Sequence, residues 1–195
     1  MNNVSGAILA GGGSTRMGSD KSELVIGEVT VLERIGAILK RNFSHVIINR
    51  NNPASVQAVY VKDQYEQHGP LGGLHAVLSE TPTQYVFVSA CDTPFLKTEI
   101  IEFLLSRLTS DIDAVIPVYN GRSQPLSGIY RKELAQRCAL LLEKGERKMQ
   151  SLLNVSTVIY VENFPAIDPE DLYWHFFNMN TGKDYEAALK KIQAE

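Results

Sequence analysis

The 195-residue sequence predicts an α/β protein, a Rossmann-like doubly wound and mainly parallel sheet flanked by helices, built as a single domain over residues 1–195. Three observations predict it. Short apolar, β-branched runs alternate with segments of helical periodicity, the pattern of strand-helix-strand crossovers. The first such run breaks into a glycine-rich loop, Leu9 to Lys21, reading LAGGGSTRMGSDK. The most apolar run, Tyr85 to Ala90, leads into Asp92, and open α/β sheets gather their ligand-binding groups at strand ends of that kind.

Each element follows from local pattern. Val4 to Leu9 is the opening strand. Val31, Leu32, Ile35, Ile38 and Leu39 recur at helical spacing, with Lys40 and Arg41 at the end where the helix dipole favours cations. His45 to Asn49 suits a buried parallel strand that stops in the polar cluster Asn49 to Pro53, and Val56 to Val61 is a further strand candidate. Gly69 to Gly73 (GPLGG) opens a helix carrying Leu74, Val77 and Leu78. Tyr85 to Ala90 is the next strand, Thr98 to Leu108 a helix and Asp113 to Tyr119 a strand. Gln124 to Tyr130 reads as a strand entering the helix Lys132 to Glu143. Met149 to Leu153 is a short helix, Thr157 to Val161 a late strand and Asp184 to Ile192 the last helix. In a doubly wound sheet the loops Leu9–Lys21, Asn49–Asn51, Asp63 with Gly69–Gly73, Asp92 and Asn178–Asn180 converge on one crevice.

Composition narrows the classes. Hydrophobic content of 44% and charged content of 21% are ordinary for a globular protein. No apolar run approaches the roughly 20 residues of a membrane span, and no secretory signal is recognisable, so a cytoplasmic protein without membrane association is expected. A net charge of −3 without a basic stripe argues against a nucleic-acid partner. Cys91 and Cys138 have no neighbours at metal-ligand spacing.

The first loop carries the chemistry. Gly11, Gly12 and Gly13 remove the Cβ atoms that keep a backbone away from a bound anion, and Arg16 and Lys21 add fixed positive charge beside those amides. That is what a triphosphate needs. The loop is neither a Walker P-loop, since Ser19 and Asp20 follow Gly18 where Lys and Ser or Thr belong, nor a dinucleotide fingerprint in either register. With Asp92 holding Mg²⁺, Lys21 and Arg16 would neutralise the triphosphate, and Asp92, Lys21 and Arg16 form the expected catalytic set.

Taken together, LAGGGSTRMGSDK, GPLGG, the CDTPF at Cys91 to Phe95, the QPLSGIY at Gln124 to Tyr130 and the NMNT at Asn178 to Thr181 resemble the molybdenum cofactor guanylyltransferases. The likeness runs over nearly the whole chain, with the motifs in family order. It implies transfer of GMP from GTP to molybdenum-molybdopterin, yielding the guanine dinucleotide form of the cofactor and pyrophosphate. It implies that Leu9, Ala10, Gly11 and Gly12 contact the nucleotide and that Lys21, Asp63 and Asp92 bind GTP, Asp92 also holding Mg²⁺. Asn51 resembles the family's nucleotide-contacting asparagine, with Asn49 and Asn52 within one or two places of that register. Gly72, Gly73, Asn178 and Asn180 would face the pterin, and molybdenum-enzyme chaperones or other cofactor-biosynthesis proteins are the implied partners. The tail departs from the family's Asn-Thr-Pro-Glu-Asp at Gly182 and Lys183, which weakens Asn180 as a group on the metal side. The nearest alternatives are a cytidylyltransferase acting on the same pterin, another small nucleotidyltransferase, and a non-catalytic nucleotide-binding accessory subunit.

Overall fold

The computed structural model describes residues 3–11, 21–65 and 67–194. The chain begins with β1 (Val4–Leu9), all six residues of which are buried. After the 3-10 turn Lys21–Glu23 come a small hairpin, β2 (Val25–Ile26) and β3 (Val29–Thr30), and helix α1 (Val31–Asn42). Gly27 turns the hairpin at a φ of +71°, in the region open to glycine at no steric cost. Thr30 starts α1 with a reciprocal capping box to Glu33, and Lys40 and Arg41 lie in its last turn as the periodicity predicts.

Next follow β4 (Val46–Asn49), β5 (Val59–Val61), α2 (Gly69–Glu80), β6 (Tyr85–Ala90), α3 (Thr98–Leu105), β7 (Ala114–Tyr119), β8 (Arg122–Ser123) and β9 (Ile129–Arg131). The chain then runs through α4 (Leu134–Glu143), α5 (Met149–Leu153), β10 (Val158–Val161), α6 (Pro169–His175) and α7 (Gly182–Gln193). The sheet order is β10-β7-β9-β6-β1-β4-β5, with β8 on β7. Pairings of β1 with β4 and β6, of β4 with β5 and of β7 with β10 are parallel. Among the described residues only β9, antiparallel to both neighbours, and β8 run against the rest of this sheet. The expected mainly parallel, doubly wound sheet is what forms.

Alternation along the strands sorts side chains to two faces. Val4, Ile8, Phe87 and Ile48 join α1, α3 and Ala188 of α7 on one face; Ala7, Leu9, Val86, Val88 and Ile47 join α2, α4 and α5 on the other. From β1 the chain winds outward to β4 and β5, then returns through α2 to β6 on the other side of β1. The order therefore reverses between β1 and β6, the switch point at which such sheets open a crevice above their strand ends.

Three local readings are corrected by tertiary context. Gln124 to Tyr130 is not one strand: Pro125–Ser127 forms a 3-10 turn before β9, and the Tyr130 hydroxyl donates to the Pro125 carbonyl at 2.6 Å. The candidate strand at Val56 pairs only over Val59–Val61, because Val56 packs against Gly36 of α1. Residues Pro169–His175, unassigned by periodicity, form α6, capped by the Asp168 side chain on the Glu170 N–H at 2.7 Å. Among the described residues no helix is long and apolar enough to cross a membrane.

Candidate active site

Strand register decides which residues meet. Leu9 is level with Asn49 on one side and Ala90 on the other, and Asn49 is level with Val61. The residues just past those positions, Ala10 and Gly11, Lys62 and Asp63, and Cys91 and Asp92, therefore emerge along a single edge. Two clusters stand on it.

The first is uncharged at its centre. Asn49 is 1% exposed, and its Nδ2 donates to Asp63 Oδ1 at 2.7 Å and to the Val61 carbonyl at 3.3 Å. Its Oδ1 faces two glycines: a methyl group built on Gly11 would lie 2.6 Å from that oxygen, and one on Gly73 would lie 2.5 Å from it. Real contacts are not that close, so this packing of strand end, loop and helix exists only without side chains at 11 and 73. The same added methyl on Gly11 would stand 3.3 Å from Asp63 Oδ2, so the second carboxylate oxygen borders the start of the glycine-rich loop.

The second cluster is charged. Lys21, 7% exposed, donates from Nζ to Asn180 Oδ1 at 2.7 Å and lies 3.8 Å from Asp92 Oδ2. The turn after β6 is fixed by Thr93, whose hydroxyl reaches the Ala90 carbonyl and Ser89 Oγ, both at 3.0 Å. The Asp92 carbonyl accepts from the Met179 N–H at 2.9 Å, which ties the C-terminal segment to the strand end. Burial raises the Asp92 carboxyl above the ordinary aspartate value, and the Lys21 ammonium works against that rise.

A desolvated carboxylate at a strand end is a fitting oxygen ligand for a hard divalent cation. Among the described residues no three His, Cys, Asp or Glu side chains gather as a metal site. An ion on Asp92 would take its remaining oxygens from phosphate and water, the usual manner of Mg²⁺ with nucleotide substrates.

Placement of the other expected residues is mixed. Leu9, Ala10, Gly11, Lys21, Asp63 and Asp92 stand along the crevice. Gly12 and Arg16 lie outside the described residues. Asn51 is exposed on a bend two residues past the strand end, and the asparagine that register brings to the loop is Asn49. Gly73, expected toward the pterin, abuts Asn49, while a methyl on Gly72 would meet the Tyr65 carbonyl at 3.1 Å. Asn178 is exposed and donates to the Phe176 carbonyl two residues back, whereas Asn180 reaches Lys21.

Pattern reading also leaves His175 without a role. It is fully buried; Nδ1 accepts from the Lys97 N–H at 2.9 Å, so the ring proton sits on Nε2 and is donated to Ser127 Oγ at 2.8 Å. Burial, with the Lys97 charge second, drives its pKa down to about 3, which keeps the ring neutral. It is a structural pin between α6 and the Pro125–Ser127 turn, and a lone histidine carries no sequence signal for that. Trp174 and Phe177 pack on Phe95, with ring centroids 5.0 and 6.2 Å away, as core rather than as a ligand surface.

Comparison with known proteins gives the class: the chain is a nucleotidyltransferase. It belongs to the family described as the MobA-like NTP transferase domain, whose model matches residues 6–159. A probable molybdenum cofactor guanylyltransferase of Peptoclostridium acidaminophilum is 34% identical over 200 residues, covering 98% of this chain and 90% of that protein. The molybdenum cofactor guanylyltransferase of Desulfosudis oleivorans is 31% identical over 200 residues, covering 100% of this chain and 98% of its own length. The crystal structure of molybdopterin-guanine dinucleotide biosynthesis protein A from Archaeoglobus fulgidus shares the fold, with a TM-score of 0.85 at 24% identity over 98% of this chain and 100% of that one.

Proposed function

We propose that this enzyme transfers GMP from GTP to molybdenum-molybdopterin, with Mg²⁺ as the resident metal, working as one domain in the cytoplasm. The observation that carries the reading is the meeting of Lys21 and Asp92, 3.8 Å apart, at the switch-point crevice of a chain whose relatives bear that activity in their names.

A terminal phosphate oxygen of the pterin attacks the α-phosphorus of GTP; a new P–O bond forms, the bond to the β-phosphate oxygen breaks, and pyrophosphate leaves with the electron pair. Two anions must approach each other, so the main work is neutralisation and alignment, with no nucleophilic side chain needed. Mg²⁺ on Asp92 would neutralise charge at the α-phosphate. Lys21 sits beside it to hold the same phosphates, and its bond to the neutral Asn180 leaves its charge available. Gly11 lets the loop backbone approach the ligand. Asp63, held by Asn49 through one oxygen, keeps the other beside that loop as an acceptor for the N–H groups of a base, and an anionic acceptor there favours guanine, whose Watson–Crick edge carries two adjacent donors.

The test is pyrophosphate release with molybdenum-loaded molybdopterin as acceptor and GTP or CTP as donor. Turnover with GTP at least ~100-fold above CTP is expected, the size of discrimination that a site built on polar contacts supports. Equal or higher turnover with CTP would transfer the assignment to a cytidylyltransferase. Nucleotide binding without turnover of either would make the chain an accessory protein.

A further inference from the structure

We propose that Asp184, acting through Asn180, is a positioning residue for Lys21, which makes the N-terminal turn of α7 part of the framework of the active site. The inference rests on the reading of Lys21 as a phosphate-binding cation.

Asp184 is the third residue of α7, and its Oδ2 receives three donors: the Thr181 N–H at 2.7 Å, the Thr181 hydroxyl at 2.9 Å and the Asn180 N–H at 2.9 Å. The Thr181 contacts, with the return bond from the Asp184 N–H to Thr181 Oγ1 at 3.2 Å, complete a capping box and suffice to start a helix. The Asn180 N–H lies before the cap and owes nothing to helix formation. That bond fixes the backbone from which the Asn180 carboxamide projects. On the other side Met179, fully buried, donates its N–H to the Asp92 carbonyl at 2.9 Å. Asn180 is therefore pinned on both flanks, once to the helix carboxylate and once to the strand end bearing Asp92, and its oxygen meets Lys21 Nζ at 2.7 Å.

The same helix also braces the segment that carries Lys21. The Tyr185 hydroxyl donates to the Val25 carbonyl at 2.8 Å, just past the Lys21–Glu23 turn, and a methyl built on Gly27 of the hairpin would lie 3.0 Å from the Ile192 side chain. One rigid element thus sets both partners of the Lys21–Asn180 bond. A neutral acceptor suits the task. An ammonium has three donors, so Asn180 fixes its direction with one and leaves the charge and the remaining donors for Asp92 and phosphate. A carboxylate in that place would cancel the charge.

The test needs no substrate for its main arm. The ammonium ¹H–¹⁵N signal of Lys21, assigned by its loss in Lys21→Arg, reports whether the group is held and shielded. It should be seen in the parent and in Thr181→Ala, and be broadened away in Asn180→Ala and Asp184→Ala. Pyrophosphate release should fall ~10- to 100-fold in Asn180→Ala, where a hydrogen bond to a charged group is lost, and ~3- to 10-fold in Asp184→Ala. Thr181→Ala should change it less than ~2-fold while lowering Tm about as much as Asp184→Ala, because it removes the cap and spares the Asn180 bond. Asp184→Asn, which keeps an acceptor oxygen, should recover most of the activity.

An unaltered Lys21 signal in both Asn180→Ala and Asp184→Ala overturns the proposal, as does equal broadening in Thr181→Ala. Should Asp184→Ala fail to fold, Asn180→Ala decides the Lys21 contact and Asp184→Ser, whose shorter side chain withdraws the acceptor from the Asn180 N–H, takes its place, a signal and rate equal to those of Thr181→Ala counting against the role of Asp184. A parent protein that shows the expected signals but no GTP turnover refutes the proposed reaction and leaves the positioning result standing.

Discussion

The two clusters on the crevice are held by opposite kinds of constraint. Around Asn49 the limit is shape: a buried amide is wedged against Gly11 and Gly73, and its bond to Asp63 spans a sequence separation of only 14. Around Lys21 the limit is charge: a shielded cation is balanced between Asp92 and a neutral amide 159 residues away. Shape faults displace a neighbour and are felt in folding, whereas charge faults leave packing intact and are felt in turnover. The proposed active site therefore separates into one half that is also a piece of the core and one half that is almost purely electrostatic.

Asp92→Ala is the sharpest attempt to break that contrast. It should lower pyrophosphate release by at least ~10³-fold, in the range lost when a group that stabilises transition-state charge is removed. Far-UV circular dichroism should be unchanged. A folded Asp92→Ala protein with near-normal release would refute the proposed metal-binding role.

Gly73→Ala probes the other half. Alanine in a helix interior gains about 1 kcal/mol over glycine. That gain is outweighed, because the new methyl meets the Asn49 oxygen at 2.5 Å and Asn49 is held by Asp63 and Val61. Overpacking of this kind costs about 1 to 3 kcal/mol. Chemical denaturation should show a net loss of up to about 2 kcal/mol, with weakened GTP binding, and a stabilised variant would show that the wedge is not tight.

A smaller effect separates charge from shape through pH. The folded-state value of Asp92 is raised, chiefly by burial, so its protonated form favours the folded state. That contribution is fully present below the ordinary aspartate value of 3.8 and is lost as pH rises through the higher folded value. Asp92→Asn, which cannot ionise, should therefore have a Tm above the parent at neutral pH, and the gap should close in acid. A gap that is constant from pH 4 to 7 would contradict the buried-carboxylate account.

The smallest effect is expected from Asn51→Ala. An exposed side chain on a bend should contribute within about 0.5 kcal/mol of stability, and GTP affinity should change less than ~2-fold. Asn49→Ala, measured beside it, should weaken GTP binding at least ~10-fold, because it leaves the Asp63 carboxylate unheld. A reversal of that order would restore Asn51 to the crevice.

Much of this was legible without coordinates. The alternation of apolar runs with helical periodicity sufficed for the doubly wound sheet, because burial on both faces writes continuous β-branched strands and amphipathic helices directly into the chain. The carboxylate after the most apolar strand and the loop lysine were also readable, since their residue types are fixed by chemistry. What could not be read was the choice among Asn49, Asn51 and Asn52. Composition treats three nearby asparagines alike, and only the pairing of β1 with β4 places Asn49 at the strand end beside Gly11.

The same division holds at the C-terminus. The Asn-Met-Asn-Thr sequence marks a segment of interest, but it does not say that Asn178 turns back on its own chain while Asn180 crosses to Lys21. By itself the sequence determined the class of fold and the types of group in the site, because periodicity and residue chemistry are local. Tertiary structure alone decided which of those groups meet, because strand register and the docking of α7 join residues that no local pattern relates.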